Sequence, residues 1–263
     1  MITGLAARTL TQRETKSLRR AGRSSQAEVV VVLLIHEVHA VKGTHEDDFE
    51  AAYRDEWMPM LADGQDARLL WYTDHAHGSG VSYNVVTVTA LRDAEAWERL
   101  VYRIQKDDLQ YWMRRVDELR HEVTGTLQMP LVWSPLQEVD FDTVPTDGST
   151  HEPTLYMEDT MWPFDGKLGD YIEACGAVYS KSLEQASPFI TIEAASQPAF
   201  CSQKRGEVTL MQRIHNQEQL GLLLANEMPP EHRGPGTWMY DALTVRDQWE
   251  SKLLRTAPWS PLY

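Results

Sequence analysis

A histidine and acidic cluster near the start of the chain has residue types suited to acid–base chemistry. His36, Glu37 and His39 lie close together beside a run of apolar residues. On an extended strand, alternate side chains share a face, so Glu37 and His39 point to one side and His36 to the other. A carboxylate that orients an imidazole is a common general acid–base arrangement. We therefore take Glu37, His39 and His36 as candidate catalytic residues; the alternative is that they are solvated at a strand end.

The histidine spacings do not predict a metal site. His36 and His39 face opposite sides of a strand and lack the His-Glu-x-x-His spacing of a zinc-binding helix. His75 and His77 have the spacing of two ligands on one strand face, but Gly78 follows and indicates a hairpin loop. We predict no metal and no cofactor, and we expect His75 to contact a ligand at a cavity mouth.

Aromatic residues on or beside the predicted strands could line a binding cavity. The candidate substrate-binding residues are Trp71, Tyr83, His75, Glu158, Tyr156 and Trp162. A pocket walled mainly by aromatic side chains suits an apolar or aromatic small molecule. Glu158 also begins an acidic pair with Asp159, which is the competing choice for the reactive site.

A repeated motif organises the elements that must position these residues. Trp112-Met113 precedes Trp133-Ser134-Pro135-Leu136, and Trp238-Met239 precedes Trp259-Ser260-Pro261-Leu262. The spacing is the same in both copies, since 133 − 112 and 259 − 238 both equal 21. Upstream, His36 aligns with Glu158 at an offset of 158 − 36 = 122. Such self-similarity indicates two copies of one structural unit.

Each copy has the pattern of a small α+β unit. The first predicted strand covers 29–38, an acidic helix start and an apolar stripe follow, and the complete order is β-α-β-β-α-α-β, which is ferredoxin-like. We predict a final helix at 237–251 and a final strand at 254–262. The predicted organisation is a basic N-terminal arm or short helix at 1–27, a first repeat at 28–138, a linker at 139–153 and a second repeat at 154–263.

Two such sheets can shield each other from water. An antiparallel sheet with helices on one face leaves its other face bare, and stacking two sheets covers both bare faces. The predicted fold class is therefore α+β, with tandem ferredoxin-like repeats that form one barrel-like core within the chain. Copy one is favoured as the half that holds the pocket, and the sheet edges would also allow two such chains to form a homodimer.

The end of each copy resembles the NIPSNAP domain. The resemblance rests on the segment from Trp249 to Leu262 and is repeated in Leu127–Leu136. NIPSNAP domains belong to the dimeric α+β barrel superfamily, so the resemblance implies that fold. It also implies a wide range of functions, including cofactor-free monooxygenases, isomerases and lyases, haem proteins and binding modules. The family often has Tyr-Glu-x-Arg on its first strand, and here only Glu37 matches.

Composition narrows the class of partner and compartment. The chain has 263 residues and a net charge of −14, so it would repel nucleic acid. No apolar run is long enough for a membrane span, and we expect no membrane partner. Cys175 and Cys201 fit free thiols in a reducing compartment, so we expect a cytoplasmic protein. The alternative is that the Arg-rich arm at 1–27 is a transit peptide that directs the protein to another compartment.

The sequence favours one function over two others. The favoured function is a cofactor-independent small-molecule enzyme of lyase, isomerase or monooxygenase type, which acts on an apolar or aromatic substrate by His/Glu acid–base catalysis. A non-catalytic ligand-binding or scaffold protein is the alternative, and a haem-binding protein is the third. Fold alone does not choose among them.

Overall fold

Apolar runs rich in β-branched residues form eight strands in the computed structural model, which describes residues 32–185, 189–199, 206–227 and 229–263. The arm at 1–27 and Cys201 lie outside the described residues. The strands are β1 Leu33–Val41, β2 Ala67–His75, β3 Asn84–Leu91, β4 Arg120–Pro130, β5 Leu155–Trp162, β6 Ile190–Pro198, β7 Val208–Ile214 and β8 Gln248–Thr256.

Helical segments connect the strands. They are α1 Glu46–Ala51, a π-helical segment Ala52–Trp57, α2 Met58–Gly64, α3 Ala94–Lys106, α4 Leu109–Leu119, α5 Leu168–Ala174, a second π-helical segment Cys175–Ser180, α6 Lys181–Gln185, α7 Gln217–Ala225 and α8 Trp238–Asp241. Short 3-10 turns cover Gly43–His45, Pro230–His232 and Ala242–Thr244. In the described part of the chain, no helix combines the length and apolar character needed to cross a bilayer.

The strands close into one barrel in the order β1-β3-β2-β8-β5-β7-β6-β4. Within it, β4-β1-β3-β2 and β8-β5-β7-β6 are two ferredoxin-like halves with the same internal order. Short three-residue pairings, β2 with β8 and β4 with β6, join the halves. The predicted fold class is confirmed: this is an α+β protein whose two sheets form one barrel-like core.

Local irregularities recur at equivalent places in the two halves. Each first helix is interrupted by a six-residue π-helical segment, beginning at Ala52 and at Cys175. The pairing register shifts between Leu69 and Trp71 in β2 and between Ile192 and Ala194 in β6. These positions differ by a constant 123, since 175 − 52 and 192 − 69 agree. The tandem-repeat hypothesis accounts for this agreement.

Helix caps recur in the same way. Asp93 Oδ1 accepts a hydrogen bond from the backbone of Ala96 at 2.7 Å and caps α3. Asn216 Oδ1 accepts one from Gln219 at 3.0 Å and caps α7. A side-chain oxygen at this position satisfies an N–H group that has no partner within the helix. The residue type changes between the halves, but the capping role is the same.

The sequence-based bounds of the last two elements were wrong. The helix expected at 237–251 is the short α8, followed by a 3-10 turn, and the strand begins at Gln248 rather than at 254. Pairing of β8 with β5 places Trp249 opposite Met161, so tertiary pairing overrides local helix propensity. The Ser-Pro-Leu residues, expected at strand ends, lie beyond β4 and β8.

The repeated serine fastens each tail to the other half of the barrel. Ser260 Oγ accepts a hydrogen bond from the backbone N–H of Tyr72 at 3.0 Å and donates one to the carbonyl of Leu262 at 2.9 Å. Ser134 Oγ accepts from Ala195 N–H at 2.9 Å. The two N–H groups belong to β2 and β6, the strands in which the pairing register shifts. The serine therefore pairs an N–H group that the irregular strand leaves available.

The tryptophan before each serine also packs into the core of the other half. Trp259 packs into the core beneath α1 and α2, where its ring centroid lies 4.8 Å from that of Tyr72. Trp133 packs against the second core, and its Nε1 donates to the carbonyl of Ile172 at 2.8 Å. A Cβ at Gly176 would lie 2.5 Å from the Trp133 ring. Gly176 therefore provides the space that this packing requires.

Replacing Ser260 by alanine is expected to cost about 1–3 kcal/mol of unfolding free energy, because a buried N–H of Tyr72 loses its acceptor. Ser134→Ala should cost a similar amount through Ala195. Urea unfolding measures both, with the exposed Ser182→Ala as a control expected to stay within about 0.5 kcal/mol of wild type. Equal losses in all three variants would contradict this role of the motif.

Candidate active site

A polar cavity lies inside the barrel, bounded by β1, β4, β5, β7 and β8. Its volume is about 260 Å³. Alternating strand residues point inward, so each strand contributes every second side chain. The lining residues are His36, Val38, Thr124, Thr126, Gln128, Glu158, Thr160, Trp162, Glu207, Thr209, Glu250 and Lys252.

His36 and Glu158 meet across this cavity. His36 Nε2 donates to Glu158 Oε2 at 2.7 Å, and the two side chains are 13% and 2% exposed. These residues are equivalent in the two repeats and stand on β1 and β5, which are diametrically opposite in the barrel. A half-turn about the barrel axis therefore relates them, and they touch because both point to that axis. Two identical subunits would place the same residue at both positions, whereas one chain can place an acid opposite a base.

The electrostatics of the pair favour its charged form. Burial lowers the pKa of His36, but the charge and hydrogen bond of Glu158 outweigh burial, so the pKa is raised above its usual 6.5. Burial raises the pKa of Glu158, but His36 and then Lys252 outweigh it, so that pKa is lowered. Both shifts favour an imidazolium beside a carboxylate.

Lys252 and Glu250 extend the pair along β8. Lys252 Nζ lies 3.9 Å from Glu158 Oε1 and 3.5 Å from Glu250 Oε2. Trp162, which stands on β5 with Glu158, donates from Nε1 to Glu207 Oε2 at 2.8 Å. Glu158 thus has His36 on one oxygen and Lys252 near the other. This arrangement fixes the carboxylate and, through it, the imidazole.

His36 retains one ring nitrogen for chemistry. Its Nε2 is engaged by Glu158, and among the described residues none hydrogen bonds to its Nδ1. An imidazole held by a carboxylate at one nitrogen can accept or donate a proton at the other, and the carboxylate stabilises the imidazolium. Within the described ranges, no three His, Cys, Asp or Glu residues are grouped to hold a metal ion.

Removing the carboxylate should reverse the shift of His36. In Glu158→Gln we expect the pKa of His36 to fall below 6.5, because burial and the charge of Lys252 both lower it. Titration of the His36 ring by two-dimensional NMR, in wild type and in the variant, measures this. An unchanged His36 titration in the variant would mean that Glu158 does not control the imidazole.

The same shifts give the stability contribution of the pair a defined pH window. The raised pKa of His36 contributes stability that is full below 6.5 and is lost as pH rises through the folded-state value. The lowered pKa of Glu158 contributes stability that is full above 4.5 and is lost as pH falls through the folded-state value. The contribution is therefore greatest between these two pH values.

The structure places Glu37 and His39 on the opposite face of β1, between the sheet and the helices. His39 is fully buried, its Nδ1 accepts from Arg120 Nη1 at 2.8 Å, and its Nε2 lies 3.0 Å from Thr87 Oγ1 and 3.3 Å from the Tyr53 hydroxyl. The expected pairing of His39 with Glu37 is therefore replaced by contacts with these three groups. Both ring nitrogens are engaged, so His39 has none available for a ligand.

Burial, together with the charges nearby, keeps His39 neutral. Burial lowers the pKa of His39 well below 6.5, and Arg120 and His36 lower it further. Burial raises the pKa of Glu37, which Arg120 and His36 oppose. A neutral His39 that accepts from a permanently charged Arg120 fixes its own tautomer. This cluster is a polar layer under the sheet rather than part of the cavity.

The substrate-binding candidates are distributed over three regions. Glu158 and Trp162 line the main cavity. Trp71 lines a smaller apolar extension beyond His36 and packs edge-on against Tyr156, with 6.3 Å between ring centroids. His75 ends β2 outside the lining, and burial, followed by Lys252, lowers its pKa. Tyr83 is 51% exposed near Gly43 and lies away from the cavity.

Sequence reasoning missed Lys252, Glu250 and the threonines of β4. Lys252 and Glu250 were expected partly on a helix, so no inward orientation could be assigned to them. The repeat held a usable signal: Thr126 and Lys252 differ by 126, the same offset as Trp112 and Trp238. Assigning strand to one would have assigned it to the other.

Comparisons with known proteins support the fold. No family model matches the chain, and no curated protein matches its sequence. A candidate monooxygenase from Lactobacillus acidophilus matches in structure with a TM-score of 0.57 at 9% identity, covering 88% of this chain and 98% of that chain. An anthrone oxidase-like protein matches with a TM-score of 0.53 at 8% identity, covering 88% and 92%.

This chain has the dimeric α+β barrel fold. The matches with that fold span both halves, so one polypeptide supplies what two subunits supply in a dimer. A NIPSNAP family protein from Agrobacterium tumefaciens also matches at 15% identity and a TM-score of 0.35, covering 40% of this chain and 98% of that chain. The barrel fold that the resemblance implied is thus found among the structural matches that span both halves. At these identities the likeness concerns the fold.

Proposed function

We propose that the barrel is an enzyme that moves a proton on a small molecule bound in its cavity. The observation that carries the proposal is the His36–Glu158 pair, which faces the cavity with Nδ1 of His36 available. His36 acts as general base and acid, and Glu158 orients it and stabilises its charged form. The raised pKa of His36 means that the ring holds a proton more readily, as a general base requires.

The cavity walls support a particular kind of substrate. A volume of about 260 Å³ is just below the range of about 300–1,000 Å³ usual for ligand pockets, so the ligand is small. Thr124, Thr126, Thr160 and Thr209 provide hydroxyl groups that both donate and accept hydrogen bonds. Trp162 supplies an aromatic surface. We propose a small ring compound with oxygen substituents, which narrows the apolar or aromatic class expected from the sequence.

Lys252 has a defined part in this proposal. Loss of a proton from a phenol or from a carbon beside a carbonyl leaves negative charge on an oxygen. A lysine ammonium placed beside the reacting group stabilises that charge in the transition state. Lys252 stands 3.9 Å from Glu158, on the strand that pairs with β5, so it is positioned to do this for a ligand next to His36.

Deuterium incorporation tests the proposal even when the complete reaction is not identified. Phenols and 1,3-diketones that bind are incubated with the protein in heavy water, and exchange at carbon is followed by NMR. We expect the rate of exchange with wild type to exceed the rate with His36→Gln by about 10²–10⁴-fold, the usual range for general acid–base catalysis. His45→Gln, an exposed histidine paired with Asp48, is the matched control and should behave as wild type.

The non-catalytic alternative predicts a different result. A ligand that binds equally to wild type and His36→Gln, and exchanges at the same rate with both, would identify a binding module. Loss of binding in Thr126→Val with unchanged binding in the exposed Thr244→Val would still place that ligand in the cavity. Binding and catalysis are thus measured separately.

A further inference from the structure

A second buried polar cluster lies outside the cavity, on the helix side of the second half. At its centre Arg246 is 3% exposed. Its Nε and Nη1 are buried, and neither has a hydrogen-bond partner in the described part of the chain. An arginine is charged at every pH a protein experiences, so burial cannot be relieved by loss of a proton.

The surroundings of Arg246 are aromatic and largely closed. The Trp249 ring covers it, with its centroid 4.4 Å from Cζ. Tyr171 and Cys175 are fully buried; the charge of Arg246 opposes the rise that burial causes in the pKa of each, and a hydrogen bond with Arg246 also lowers the pKa of Tyr171. The charge of Arg246 also acts on Asp159, where it opposes the rise in pKa that burial causes, but the oxygens of Asp159 accept from Gln212 at 2.9 Å and from Ser251, and in the described part of the chain Asp159 forms no ion pair with Arg246 within 4.0 Å.

The first half contains an internal comparison. Arg120 is equivalent to Arg246, since 246 − 120 = 126 is the offset of the Trp-Met pairs. Arg120 donates to His39 Nδ1 at 2.8 Å and to the carboxylate of Asp117. The residues at the corresponding positions in the second half are Met161 and Leu243. The arginine is thus retained, while its acceptor and its counter-charge are both replaced by apolar side chains.

A buried charge that has no ion pair and leaves two donors, Nε and Nη1, without acceptors is expensive, and proteins normally balance it with an opposite charge and hydrogen bonds. We propose that Arg246 binds one small monovalent anion, of the size of chloride, in place of the partners that Arg120 has. The anion accepts from Nε and Nη1. A small ion is required because the guanidinium is buried and the Trp249 ring already covers it at 4.4 Å.

Anion-dependent stability is the first test. The Tm of the full chain is measured in sodium chloride against sodium gluconate at equal ionic strength. In sodium chloride we expect the Tm to rise by about 3–6 °C for each tenfold increase in chloride concentration above the dissociation constant. The reason is that an ion that binds the folded state stabilises it by mass action. Arg246→Met should abolish this dependence and should exceed wild type in Tm at the lowest chloride concentration.

A transplant of the first-half partners is the matched variant. Met161→His with Leu243→Asp gives Arg246 the acceptor and the carboxylate that Arg120 has, so the chloride dependence should disappear while the arginine remains. This variant keeps the test valid if Arg246→Met does not fold.

Crystals grown in sodium bromide locate the ion directly. An anomalous peak within hydrogen-bond distance of Nε and Nη1 is the expected result. A water molecule at that place, a Tm that follows ionic strength regardless of the anion, or an unchanged chloride dependence in Arg246→Met would each overturn the proposal.

Discussion

Exchanging the two residues of the central pair, in the double variant His36→Glu with Glu158→His, should restore most of the stability that either single change removes. Each single change places like groups together at the barrel axis: two carboxylates in one case and two imidazoles in the other. Breaking a buried pair in this way costs about 3–5 kcal/mol. Because a half-turn relates the two positions, the exchanged pair can form the same contact.

The surroundings of the two positions differ, so the double variant should not recover all of the lost stability. Lys252 lies 3.9 Å from Glu158, whereas the equivalent residue beside position 36 is Thr126. The exchanged imidazole would therefore stand near a cation, and we expect a residual loss of about 1 kcal/mol. Urea unfolding of wild type, both single variants and the double variant gives the complete cycle. Additive losses in the double variant would show that the two side chains do not interact.

Trp259→Ala should be among the most damaging substitutions in the barrel, although the residue lies outside the helices and strands. The side chain is 2% exposed in the core of the opposite half, and its Nε1 donates to Glu50 Oε1 at 2.6 Å. Removal of a buried aromatic side chain of this size costs about 3–5 kcal/mol. The loss also leaves the carboxylate of Glu50 without this donor.

Trp97→Ala is the matched control for that substitution. Trp97 lies on α3 and is 43% exposed, so its removal should change the unfolding free energy by less than about 1 kcal/mol. Chemical denaturation followed by circular dichroism measures both variants. A Trp259→Ala protein as stable as Trp97→Ala would mean that the tail does not anchor one half to the other.

The sequence determined much of the architecture through its repetition. The offset of the Trp-Met and Trp-Ser-Pro-Leu motifs is enough by itself to indicate two equivalent units, and the order β-α-β-β-α-α-β followed from local patterns. It also made His36 and Glu158 equivalent. Local patterns failed where tertiary pairing overrides propensity, as at β8, where pairing with β5 makes Trp249 and Lys252 strand residues.

Only the tertiary structure decided that equivalent residues would touch. His36 and Glu158 are 122 residues apart in the sequence. The spacing of residues does not indicate that the axis relating the two halves passes through the centre of the barrel. That depends on strand order, with β1 and β5 opposite each other, and on closure by the short pairings at β2–β8 and β4–β6. Pleating then sends His36 inward and Glu37 and His39 outward, a division that the sequence predicted as two faces without telling which face held the cavity.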